Sequence, residues 1–506
     1  MSVTRRSLLM LTVGLALVHG CEREVPTRPA AEITIVPVAG SALQTAVVGT
    51  LVPVAPSVRV LDARGRPLAG ARVVFIPLRN RGVVSGAEVD TDGNGIATVG
   101  AWTMSTFAGA HELSVICTSS TSTAEVIFTA SATPGPATGL AIAPATVSVT
   151  PGGTRALTAS TIDRYGNAVT VGVSAAFAAT DPATASVSPT GVVSGTAVGV
   201  TRIEVSFGAF TRTVWTAVGS RPSGATAGTS AVGQGAYGVA VSSADVLLVG
   251  ADSYVARFNL PSESAVAHIY GVDRVLGIAF SPSGSTAYVA SFSSDQLHIV
   301  DVATNVISRS IGGISNPTRL LASPDGAYIY VATFGGNLIR LDTRTDSLTT
   351  LSLSGRLNGM ALSGTRAALY VTSVEGTVSD VDLTTFTRRL SRSISGVAQG
   401  IAVSLDGTRL FVANEGAALQ VLDATTLVRR ATVAAANGAF GVALTRDASQ
   451  LYVAQSSQQQ VTVIDADTYA VVRTFSATLP RHITFNRSGT LGMITNEGGG
   501  TIYFVR

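Results

Sequence analysis

The sequence predicts an all-β protein: two β-sandwiches followed by a seven-bladed β-propeller closed by an N-terminal strand. Three observations carry this. In the second half of the chain a three-part phrase returns about every 41 residues, a period that marks a repeat architecture. Between residues 33 and 219, short alternating runs rich in Val, Ile and Thr are punctuated by Gly, Asn and Asp turns, as in stacked antiparallel sheets. The helical repeats of similar period need long amphipathic stretches, and the repeats carry none.

Composition bounds the rest. A chain of 506 residues with 46% hydrophobic and 13% charged residues can bury several cores and is no candidate for wholesale disorder. The formal net charge is only +3, and all 34 basic side chains are arginine. The high isoelectric point therefore reflects missing lysine rather than a basic face, and nucleic acid is not expected as a partner.

The first element is an address. Residues 1–6 form a short basic segment and 7–18 an apolar run of signal-peptide length, too short for a comfortable membrane-spanning helix. The run ends Val18-His19-Gly20-Cys21, which resembles the lipobox of bacterial lipoproteins. That resemblance implies a signal peptide over 1–21, acylation of Cys21, and a membrane contact made through the lipid anchor alone. Glu22 after the cysteine, by the same likeness, implies the outer membrane of the cell envelope, facing the periplasm or the surface. Thr4-Arg5-Arg6-Ser7-Leu8-Leu9 is also similar to a twin-arginine signal, so both the general and the twin-arginine export routes fit. With Cys21 acylated, Cys117 has no disulfide partner, and its strand-like context predicts a small buried hydrophobe.

Residues 22–32, charged and bearing Pro26 and Pro29, read as a tether. In 33–133, strands such as Val58–Leu61 and Ala71–Phe75 are separated by the turn at Asp62–Gly65, and Asp92–Gly95 precedes Ile96–Val99. The stretches "VLDARGRPLAGARVVF", "TDGNGIATVGAW" and "VIFTASATPGPA" resemble a group 1 bacterial Ig-like domain of the invasin and intimin type. Asp90-Thr91-Asp92-Gly93-Asn94-Gly95 begins like a calcium loop, but the twelfth position is Ala101 and no helix flanks it, so a plain hairpin turn is expected. Pro134-Gly135-Pro136 interrupts any ladder and marks a boundary. Residues 137–219, with the turn Asp163–Asn167 and "DPATASVSPTGVVSGTAVGVTRIEVSF", resemble a group 2 bacterial Ig-like domain, with Phe177 filling the core position that is usually tryptophan. Both domains are expected to act as spacers.

The propeller is expected over 225–506. Its phrases start at Gly238, Gly277, Thr318, Gly359, Gly400, Gly441 and His482, at intervals of 39 and then 41 residues. Each copy holds four strand-like runs, the content of one blade. Turns such as Ser281–Gly284 and Ser323–Gly326 join the first two strands, and Asp-x-x-Thr (Asp301/Thr304 is one) joins the last two. The seventh copy supplies only three strands before the chain ends, and Ala227–Val232 is placed to add the fourth. The phrases "AYVASFSSDQLHIVDVATNVISRSI" and "QLYVAQSSQQQVTVIDADTYAVVRTF" resemble YVTN-type β-propeller repeats, a family related to seven-bladed lactonases.

A binding site is expected where the loops before the first strands meet those between second and third strands, at the mouth of the central channel. The candidates there are Tyr237, Arg274, Asn358, Glu375, Gln399, Glu415, Phe440, Arg481, His482 and Glu497, a mixture of acids, amides, arginines and rings suited to a protein or polysaccharide. No catalytic residue, metal or cofactor is expected. No nucleophile elbow, zinc-binding His-Glu-x-x-His or phosphate-binding glycine loop occurs in the sequence. The expected role is non-enzymatic: Ig-like spacers presenting a propeller for binding or adhesion at the envelope. The alternative is a lactonase-like hydrolase in which His482 and Glu497 form an acid–base pair.

Overall fold

The computed structural model describes residues 32–78, 82–119, 122–172, 174–224 and 226–506. The expected signal peptide, Cys21 and nearly all of the tether lie outside the described residues. The described chain is all-β, with one short 3-10 turn at Ser456–Gln458 and no helix long and apolar enough to cross a membrane. It divides into two compact units: residues up to Thr138 together with Ile162–Val169, and Gly139–Thr161 together with Thr170–Arg506.

In the first unit, Leu43–Val47, Thr123–Thr133, Gly109–Thr118, Arg72–Pro77 and Glu88–Asp90 form one sheet in that order. Thr34–Pro37, Ser57–Leu61 and Ile96–Thr98 form another, and Val83–Ser85 pairs with Ala101–Thr103. Alternation sends one face of each strand inward, so Val58, Val60 and Ala97 meet Phe75, Leu113, Phe128 and Trp102 in a single core. Cys117 is buried in it as the sequence predicts. The Asp90–Gly95 segment differs from a hairpin, because the strands it joins belong to different sheets. Asp92 accepts from the amides of Asn94 and Ile96 at 2.8 and 2.9 Å, so its carboxylate closes a local turn. The Asp163–Asn167 turn also belongs to this unit: Gly135 donates to Asp163 at 2.9 Å, and Asn167 bonds Ala108 and Thr106 at 2.8 Å each.

The second unit begins with a four-stranded sheet, a three-stranded sheet and the paired strands Gly139–Ala143 and Thr158–Ile162, around Val147, Ile203, Val205 and Val214, with Phe177 packed against them. Seven four-stranded antiparallel sheets follow. Their first strands are Val239–Val241, Val275–Phe280, Pro317–Ala322, Leu357–Leu362, Ala398–Val403, Ala439–Leu444 and Pro480–Phe485. Each first strand neighbours the next, and the seventh neighbours the first, so the sheets stand in a closed ring around an axis. Thr226–Ala231 pairs with Thr501–Val505 and completes the seventh sheet, which removes the open edge.

The repeated turns act mechanically. Gly284, Gly326, Gly407 and Gly489 all sit at positive φ, a conformation that glycine adopts without a Cβ penalty. Asp301, Asp342, Asp382, Asp423 and Asp465 each accept the amide three residues on, at 2.8–3.1 Å.

One register is corrected. Arg319 pairs with Ala332 as Gly277 pairs with Ala290 and Gly441 with Ala454. The third phrase therefore starts at Arg319, not Thr318, and the intervals become 39, 42, 40, 41, 41 and 41. The ring position nearest the axis is then glycine in five sheets, arginine in sheet three and histidine in sheet seven.

Candidate functional site

Glycine at the ring position follows from crowding. A Cβ on Gly277 would lie 3.0 Å from the Arg319 Cα, and one on Gly400 would lie 3.0 Å from the Phe440 carbonyl oxygen. The two exceptions use room that glycines elsewhere leave open. Arg319 Nε donates to the Asn358 carbonyl at 3.1 Å, and the guanidinium continues across the axis to the imidazole of His482. These two residues form a plug within the channel.

His482 is 5% exposed. Burial, with the positive charges of Arg319 and Arg481 beside it, holds its basicity well below that of an ordinary imidazole, so it is neutral at pH 7. Burial likewise lowers Arg319 to about 10, which leaves it charged at neutral pH. Tyr237 packs edge-on to His482 at 4.7 Å and to Phe440 at 5.9 Å, and Phe440 lies 5.3 Å from the imidazole. The Arg481 guanidinium covers the Phe440 ring at 4.3 Å.

From this aromatic group a polar chain runs along the mouth. Arg481 Nε donates to Glu497 at 2.6 Å, with Glu415 at 3.8 Å on its other side. Gln399 Nε2 donates to Glu415 at 2.7 Å, and Asn358 Nδ2 donates to the side-chain oxygen Oε1 of Gln399. Eight of the ten sequence candidates thus meet in one network: Tyr237, Asn358, Gln399, Glu415, Phe440, Arg481, His482 and Glu497. The His482–Glu497 pair on which the alternative hydrolase reading relies is not hydrogen-bonded in this structure. Glu497 is taken by Arg481, and His482 by Arg319.

Arg274 and Glu375 stand apart on the rim, and there they bring in two phenylalanines, Phe292 and Phe334, that sequence reasoning passed over. Arg274 lies over Phe292 at 5.0 Å and Arg356 over Phe334 at 5.4 Å, while the two rings meet edge-on at 5.9 Å. Glu375 accepts from the Arg356 amide and from Nε, both at 2.7 Å. Burial acts upward on this carboxyl, but the Arg356 bonds outweigh it and hold it below the ordinary glutamate range. Phe334 remains 41% exposed. The sequence signal was available, because both phenylalanines directly follow a second strand.

The opposite end of the channel holds a cavity of about 1190 Å³. Arg319 and His482 line it, along with turns that join first and second strands and with Val198, Val200 and Trp215 of the sheets that precede the ring. Of the ten candidates only His482 reaches it. Arg319 was missed because the third phrase was aligned one residue early; matching Leu320-Leu321 to Ile278-Ala279 recovers it.

No protein-family model matches this chain, and no curated protein does. Among solved structures, hydrazine synthase of Kuenenia stuttgartiensis is similar with a TM-score of 0.50 and 15% identity, covering 57% of this chain and 99% of that one. The Cps50 (Swd1) β-propeller domain of Myceliophteria thermophila has a TM-score of 0.49 and 14% identity, covering 56% and 98%. At such identities a likeness concerns the fold alone. The closed ring of four-stranded sheets makes this a β-propeller protein.

Proposed function

We propose that this chain is an exported, lipid-anchored protein of the bacterial envelope in which two Ig-like sandwiches present a seven-bladed propeller, and that the propeller mouth binds a protein or polysaccharide. The observation that carries the binding role is the rim cluster Arg274–Phe292–Phe334–Arg356. Cations stacked on partly exposed rings offer flat apolar faces with fixed donors, the composition that dominates recognition surfaces. The anchor rests on the sequence around Cys21. Loss of fatty-acid labelling in Cys21→Ser supports it, and retained labelling refutes it.

The binding role is tested by replacing Phe334 with a photo-crosslinking residue in cells. A discrete adduct that disappears with Arg356→Ala is expected, and the absence of any adduct counts against the mouth. A lactonase-like reading would need His482 and Glu497 to act together, and their present partners work against that. The discriminating assay is a lactone panel with divalent metal. Turnover lost in His482→Ala would replace the binding reading with a hydrolase.

A further inference from the structure

The cavity at the opposite end of the channel has a charge pattern of its own. Arg319, Arg446 and Arg487 line it, and no Asp or Glu does among the described residues. Arg446 and Arg487 spend their donors on backbone carbonyls, at 3.3–3.4 Å from Phe485, Asn486 and Ser243. Arg319 uses Nε on the Asn358 carbonyl and Nη2 on the imidazole, which leaves Nη1 without a protein acceptor among the described residues. Among the described residues none of the three guanidinium groups has a carboxylate within salt-bridge distance, although Asp245 accepts from the Arg487 amide at 2.7 Å and lies near Arg446. A cation drawn toward the middle of a fold without a counter-charge is costly to leave uncompensated.

The wall of the cavity is mixed, with an apolar set among serines, threonines and the arginines. Ile278, Met360 and Ile401 line the cavity, and Val198 and Val200 stand at its entrance 36% and 52% exposed. Arg319 is the one of the three arginines with a guanidinium donor left over beside these apolar side chains, a pairing of charge and apolar surface that suits an amphiphilic small molecule, and the volume exceeds what such a ligand needs.

We propose that the cavity binds an anionic small molecule with an apolar body, its head on Arg319 and its body against Ile278, Met360 and Ile401. This site touches the mouth network through Arg319, His482 and Tyr237 but shares none of the rim residues Arg274, Phe292, Phe334 and Arg356 that carry the mouth reading, so its failure would leave that reading untouched.

The test is isothermal titration calorimetry of octanoate, and of neutral 1-octanol, into the full chain carrying Cys21→Ser. One octanoate site per chain is expected. Arg319→Gln should weaken octanoate on the order of tenfold by removing a charge-assisted hydrogen bond, and leave octanol unchanged. Val200→Glu, at an exposed entrance position that cannot threaten the core, should also weaken octanoate and spare octanol. Unchanged octanoate affinity in Arg319→Gln, or no binding to the parent at millimolar octanoate, overturns the proposal. If circular dichroism shows Arg319→Gln misfolded, Val200→Glu decides alone, and unchanged octanoate affinity there overturns it.

Discussion

Alanine at the ring glycines should have sharply graded effects. At Gly441 an added Cβ would fall under 3.0 Å from the Arg481 carbonyl oxygen, closer than real carbons approach. That carbonyl cannot retreat easily. Its own side chain is tied to Glu497, and the next amide, His482, donates to Thr495 Oγ1 at 3.1 Å. At Gly400 the nearest atoms stand at 3.0–3.2 Å, so a shift of a few tenths of an ångström suffices. Overpacking of the first kind costs about 1–3 kcal/mol. Gly→Ala returns about 0.4–1 kcal/mol by restricting the unfolded chain, and neither glycine has a positive φ that would forbid alanine. Gly441→Ala should therefore lose about 1–2 kcal/mol, lowering the melting temperature by on the order of 5 °C, while Gly400→Ala stays near the parent. Scanning calorimetry of the three proteins checks this. A Gly441→Ala protein melting at or above the parent, or below which Gly400→Ala falls, would falsify the crowding argument.

Three further outcomes are expected. Asp380 is buried between Arg366 at 2.8 Å and Arg389 at 3.3 Å; Asp380→Ala strands two arginines, but both are about one-third exposed, so the loss in urea unfolding should be about 1–3 kcal/mol, below that of a fully buried pair. Asp62 is held at about 2 by the Arg66 amide and guanidinium and by the Arg64 amide. Because its folded value lies below the ordinary 3.8, its contribution is complete above about pH 4 and disappears as pH falls toward 2; carbon-detected titration should find its midpoint near 2 and closer to the ordinary value in Arg66→Ala. Deleting Thr226–Ala231 exposes the edge of Thr501–Val505, and size-exclusion chromatography should show aggregation or loss of the compact species; an unchanged monomer with an unchanged melt would count against closure as a stabilising device.

Much of this was legible because it repeats. Seven copies of an alternating pattern average out local ambiguity, so the four-strand beat, the Asp-x-x-Thr turns and the strand at Thr226–Ala231 could all be read by alignment. What does not repeat was harder. Arg319 was lost to a one-residue slip, since the loop between the second and third strands of the preceding copy, 292–295, is one residue longer than in copies one and three to five and displaces the phrase that follows. The partners of Glu497 and His482 depend on which rotamers reach across the channel, and spacing along the chain carries no such information. The cavity depends on the strands around Val198–Val200 and Trp215 lying against the ring, a tertiary event to which no repeat points. The mouth candidates were found as a group because they share a register position, while their pairing into networks was not visible.

The ring position shows how one fold can carry two unlike compartments. Five glycines bring the inner strands close and leave the axis open, and two larger residues then close it partway along. On the mouth side, Arg481 is balanced by Glu415 and Glu497 and covered by rings, so that face is near neutral and aromatic. On the cavity side, Arg319 has no carboxylate and His482 is held neutral, so the charge stays uncompensated. If His482 were protonated it would stand as a second cation against Arg319, and repulsion would part the plug. Its suppressed basicity is what allows the two side chains to meet. The histidine that the sequence offers as half of a catalytic pair thus serves in the fold as the neutral partner of a buried arginine.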